Sequence, residues 1–138
     1  MEKRFDTKIA IVLRDDLLAW QRLNVTAFLS SGIAAADPAL IGEPYEDADG
    51  NAYLSLYRQP VMVFEGDAAA LRTAHERCLR RGLRAGVFTA DMFRTGNDED
   101  NRAVVRDVKA ADLDLVGVAV HGPRNAVDKI TKGCAMHP

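Results

Sequence analysis

The stretch Lys8-Ile-Ala-Ile-Val-Leu13, KIAIVL, is almost continuously apolar and β-rich. Such a run marks a strand covered on both faces, because a strand with one wet face alternates apolar and polar residues. Arg14-Asp15-Asp16 ends it. From Leu17 or Ala19 the spacing turns helical, with Trp20, Leu23, Ala27 and Leu29 or Ser30 near one face. Val25 and Phe28 broaden that face as far as Ser31-Gly32, so a well-buried helix is expected against the strand. Two further runs, Val61 to Phe64 (VMVF) and Leu113 to Val120 (LDLVGVAV), have the same buried-strand character.

Between these anchors, residues 34 to 51 hold Pro38, Gly42, Pro44, Gly50 and an acidic cluster, and read as a loop. Ala52 to Tyr57 (AYLSLY) alternates like a strand, and Pro60 separates it from VMVF as a bent strand or hairpin. Asp67 is placed to cap a helix carrying Leu71, Ala74 and Cys78, which Gly82 stops. Ala85 to Thr89 is a short strand, followed by the polar stretch ADMFRTGNDEDNR over 90–102. Residues 102 to 111 fit a helix or an irregular excursion. Pro123 opens a last helix with Ala126, Val127, Ile130 and Cys134 on one side. Alternating strands and helices predict a three-layer α/β/α sandwich with a mixed, roughly four-stranded sheet, in one domain over residues 1–138. Ligands in such sheets sit at strand ends, which nominates the loops after Leu13, Thr89 and Val120.

At 138 residues, with 48% hydrophobic and 28% charged residues, the composition is that of a globular domain. No apolar run approaches the roughly 20 residues that span a bilayer, so no membrane association is expected. The start, MEKRFDTKIAIVL, reads as leading into a strand and not as a signal peptide. Cys78 and Cys134 stand far apart without metal-ligand spacing, which predicts no metal, no cofactor and a cytoplasmic setting. A net charge of −2 offers no global attraction to nucleic acid. Arg72, His75, Arg77, Arg80, Arg81 and Arg84 make the second helix the most basic segment, suited to a phosphate backbone or simply a solvated face. Asp47-Ala-Asp49-Gly50-Asn51 lacks the later oxygens and closing Glu of a calcium loop and reads as a turn. Trp20 reads as a core or dimer-interface anchor.

KIAIVLRDDL resembles the opening strand and turn of the type 2 peptidyl-tRNA hydrolases, and HGPRNAVDKIT is similar to their closing Gly-Pro-x-x-x-x-Asp-Lys-x-Thr helix. Asp91, Arg94 and Thr95 match their Asp-Ala-Gly-Arg-Thr signature. The resemblance is closest to a bacterial branch of unknown function in which a Thr-Gly-x-Asp-x-x-Asn-Arg run follows, as Thr95 to Arg102 does here. It implies a mixed four-stranded sheet between helices, a homodimer, and hydrolysis of the ester joining a peptide to the terminal ribose of tRNA. The chain departs from the family where Asn24 replaces its lysine, Phe28 its glutamine and Leu115 its last-strand threonine.

Ester hydrolysis needs a base-activated water and donors to the oxyanion. In that frame Asp91 orients the water, Thr95 bonds it or the leaving hydroxyl, and Arg94 holds a carbonyl oxygen or phosphate. Asn24, Asn97, Asp98, Asn101, Arg102 and His121 form the remaining candidate ligand contacts. The same residue types also suit a helix cap, a turn and an Asp98–Arg102 pair along one helical turn. Met92 and Phe93 interrupt the polar run and predict that part of it packs on the domain. The expectation is therefore a polar cleft that binds a small polar or nucleotide-linked molecule or a tRNA end, with peptidyl-tRNA or related ester or amide hydrolysis as the alternative.

Overall fold

KIAIVL becomes the central part of β1 (Thr7–Arg14), with Ile9 to Leu13 all buried. The computed structural model describes residues 5–138; residues 1–4, part of the amino-terminal segment read above, lie outside it. The chain continues through α1 (Ala19–Ala36), β2 (Ile41–Glu46), β3 (Ala52–Tyr57), β4 (Val61–Gly66), α2 (Ala68–Arg80) and β5 (Gly86–Thr89). After these come α3 (Asp98–Arg106), β6 (Leu115–Pro123), α4 (Arg124–Ile130) and the two-residue β7 (Ala135–Met136). Short 3-10 turns precede β2 at Pro38–Leu40, follow β5 at Ala90–Arg94 and precede β6 at Ala110–Asp112. The result is a mixed α/β fold whose main sheet has five strands in the order β5-β6-β1-β4-β7, beside a two-stranded β2-β3 ribbon.

β1 runs parallel to β4 and antiparallel to β6, and every second residue of β1 faces the same way. Ile9, Ile11 and Leu13 pack with Val25, Leu29 and Ile33 of α1, while Ala10 and Val12 pack with Leu71, Ala74 and Cys78 of α2 and Val127 and Ile130 of α4. Alternate residues of β1 thus pack with different helices, which is why this strand reads as an unbroken apolar run. α2 starts where expected, the Asp67 carboxylate accepting from the Ala70 amide at 2.8 Å, and Gly82 ends it at φ +65.

Several expectations need correction. The sheet has five strands and not four, because the carboxy-terminal Ala135–Met136 adds to β4. AYLSLY does not bend into VMVF; it pairs with Ile41–Glu46, inside the segment read as loop. α1 runs past Gly32 to Ala36, since one glycine costs only about 1 kcal/mol and three alanines follow. Its buried stripe is Val25, Leu29 and Ile33, whereas Trp20 and Leu23 face outward. Residues 102 to 111 are the end of α3 and a 3-10 turn. No loop follows Val120, because β6 continues through His121 to Pro123 and α4 begins at Arg124; since β6 is antiparallel to β1, this junction lies at the opposite end of the strands from the segments after β1 and β5.

The ribbon turns at Asp47, whose carboxylate accepts from the Tyr53 hydroxyl at 2.6 Å, the Asn51 amide side chain at 3.0 Å and the Asn51 and Asp49 backbone amides at 3.0 and 2.9 Å. These donors, the Tyr53 hydroxyl foremost, hold its pKa down from 3.8 to about 2. A depressed carboxyl stabilises its turn above the unfolded pKa and loses that contribution as pH falls through the folded one. We expect the ribbon turn to loosen between about pH 4 and pH 2. An NMR titration of the Asp47 carboxyl should find its midpoint near 2; a midpoint near 4 would contradict the geometry.

Candidate functional site

A cleft of about 820 Å³ opens beside the edge strand β5, between α1, the 3-10 turn after β5, and α3. Two aromatic pairs cross it. Trp20 of α1 meets Phe93 of the turn edge-on at 5.8 Å, and Phe28 of α1 meets Phe88 of β5 edge-on at 5.8 Å. Phe88 and Phe93 lie 5.1 Å apart and join the pairs into one wall. Phe88 is buried at 3% exposure, whereas Trp20 and Phe28 are 57% and 51% exposed. The wall therefore has a fixed base and open upper rings.

The polar side is built by the Thr95–Arg102 segment. The Asn97 side chain caps α3, its oxygen accepting from the Asp100 amide at 2.8 Å and its NH2 donating to the Asp100 carboxylate at 2.9 Å. Asp98, Glu99 and Asp100 then occupy the first turn, where negative charge meets the positive helix end. Arg102 pairs with Asp98 one turn back. The Thr95 hydroxyl lies 2.9 Å from the Met92 carbonyl and against the Asn101 carboxamide, which ties the turn after β5 to α3. Met92 and Phe93 pack on the core beneath, as their apolar character predicts.

Asn24, Thr95, Asn97, Asp98, Asn101 and Arg102 all line this cleft. Asp91, Arg94 and His121 are not among its lining residues. Asp91 and Arg94 face each other at 3.9 Å, with side chains 47% and 81% exposed. His121 sits near the carboxy-terminal end of β6, the opposite end of the strands from Thr95, its Nδ1 3.8 Å from Asp37 and its buried Nε2 without a hydrogen-bond partner. The cleft is less polar than the sequence suggested, because Trp20 and Phe28 of α1, Phe88 of β5 and Phe93 of the following turn come from separate segments and meet only in the fold. Their clue was the Met92-Phe93 pair inside a polar run. Cys78 and Cys134 lie outside the cleft lining, and burial pushes the Cys78 thiol up to about 11 and raises Cys134 as well. Among the described residues no group of three or more His, Cys, Asp or Glu is placed to hold a metal ion. No described helix is long and apolar enough to cross a membrane.

Fold and cleft together define a mixed α/β protein with an aromatic-walled hollow beside a sheet edge. The family model described as a protein of unknown function, DUF2000, matches residues 7–138, and the chain belongs to that family. A solved structure of a protein of unknown function from Agrobacterium tumefaciens is 48% identical, covering 98% of this chain and 100% of its own, with a TM-score of 0.96. No curated protein matches the chain.

Proposed function

We propose that this chain is a binding protein, one domain whose α1–α3 cleft takes a small ligand with a flat apolar ring and a polar edge, such as a nucleoside or a nucleotide-linked group. The observation that carries this reading is the aromatic wall facing amide and guanidinium groups across one hollow. Its volume lies in the roughly 300–1,000 Å³ range usual for small-molecule sites. Trp20, Phe28 and Phe93 supply ring faces, and stacking of a base on an aromatic contributes about 1–3 kcal/mol. Asn24, Asn101 and Arg102 supply donors and acceptors for the ligand's edge.

Binding without turnover is favoured because Asp98, the one carboxylate among the described residues that line the cleft, is already paired with Arg102. Thr95 is engaged in holding the loop. The peptidyl-tRNA-hydrolase-like scaffold, and with it a hydrolytic role for Asp91, Arg94 and Thr95, rests on the sequence resemblance.

Trp20 is the chain's single tryptophan, so its fluorescence reports on the cleft directly. Adenosine, guanosine, cytidine or uridine should change its emission saturably with a Kd below about 1 mM. Phe93→Ala and Asn24→Ala should each weaken that binding about tenfold or more. No saturable change with any of the four nucleosides would overturn the reading.

A further inference from the structure

α3 turns one face to the cleft. Asp98, Asn101, Arg102, Val105 and Arg106 recur as i, i+3, i+4, i+7 and i+8, which is one side of a helix, and all five line the hollow. The remaining acids of the helix and its C-cap, Glu99, Asp100 and Asp107, are not among the lining residues. The charged residues that line the cleft are therefore Asp98, Arg102 and Arg106. Two guanidiniums stand against one carboxylate, on a chain whose own net charge is −2.

The two arginines differ in what they already hold. Arg102 is paired with Asp98. Arg106 is exposed, and no ion pair or hydrogen bond among the described residues engages its guanidinium. Its place in the last turn of α3 suits the negative end of the helix, which accounts for its sign but gives it no anionic partner. Like charges one turn apart on a helix also repel, and an anion between them relieves that repulsion.

We infer that the ligand of this cleft carries an anionic oxygen group beside its ring, a phosphate held by Arg106, so that a nucleoside monophosphate is preferred over the neutral nucleoside. The inference rests on the ring-binding reading given above and adds the charge of the ligand to it. The planar fork of arginine matches the oxygens of a phosphate. A phosphate on a side group carries nearly two charges at neutral pH and three acceptor oxygens. The Arg102–Asp98 pair is open to water, its side chains 59% and 83% exposed, so a phosphate on Arg106 can also draw on Arg102. Exposure limits the gain as well. Ion pairs in contact with water contribute modestly, which sets the expected preference at about fivefold.

Isothermal titration with the four nucleosides beside their 5′-monophosphates, and with inorganic phosphate, tests this. At least one monophosphate should bind about fivefold or more tightly than its nucleoside, and the margin should shrink as salt is raised. Arg106→Gln should bring the two affinities together, whereas Arg106→Lys, which keeps the charge, should retain part of the margin. Nucleosides that bind with monophosphates no tighter overturn the inference and leave the ring-binding reading standing. No binding by any nucleoside or monophosphate overturns both. A margin that survives Arg106→Gln, or inorganic phosphate bound as tightly as the monophosphate, overturns the inference alone.

Discussion

Gly117→Val is expected to destabilise the protein by about 3 kcal/mol or more, a large share of the roughly 5–15 kcal/mol that holds a domain folded. Gly117 lies in the middle of β6, opposite Leu13 of β1 and Phe88 of β5. A Cβ there would stand 2.5 Å from Cγ1 of Val25 and 2.9 Å from Cδ1 of Leu29. Both are fixed in the buried stripe of α1, so the helix would have to lift from the sheet. Alanine already creates the clash and should cost about 1–3 kcal/mol; valine adds two methyl groups where there is no room. Urea unfolding of the two variants beside the wild type measures this directly. Midpoints within error of the wild type would show that α1 does not approach β6 so closely.

Phe88→Ala should cost about 3–5 kcal/mol, the usual range for emptying a buried aromatic site. Phe88 belongs to the core formed by β1 and α1 and at the same time supports Phe28 and Phe93 in the cleft wall. Its loss should therefore lower the unfolding midpoint and also alter Trp20 emission in the still-folded fraction, through Phe93. Phe88→Leu keeps much of the volume and should cost less than about 1.5 kcal/mol. An alanine variant as stable as the leucine variant would mean that the wall has no rigid base.

The candidate site was legible in parts. The Thr95–Arg102 run stands out for its polar chemistry, whereas Asn97 reads as a ligand contact and is in fact the cap of α3, with three acids behind it. Its aromatic side was not legible, because Trp20 and Phe28 share a helix with Val25 and Leu29. In a helix with a single charge and apolar residues on several faces, spacing identifies several stripes and does not say which one meets the sheet. Trp20 therefore reads as a core or dimer-interface anchor; it is outside the core, 57% exposed, and lines the cleft. β2 was hidden by Pro44, Gly42 and its acids, residues tolerated in an exposed ribbon strand and poor in a central one.

Local sequence by itself determined the buried strands β1 and β6, the presence of β4, whose residues are only half-buried, and the limits of α2. Unbroken apolar runs, an Asp cap and a glycine in the left-handed region are properties of neighbouring residues. Tertiary structure alone decided strand direction and the partner of each face. The pattern of β6 is the same whether it runs parallel or antiparallel to β1, yet only the antiparallel choice carries His121 to the far end of the strands, away from Thr95 and Asn24. Which groups share a hollow depends on how distant segments pack, and adjacent residues hold no record of that.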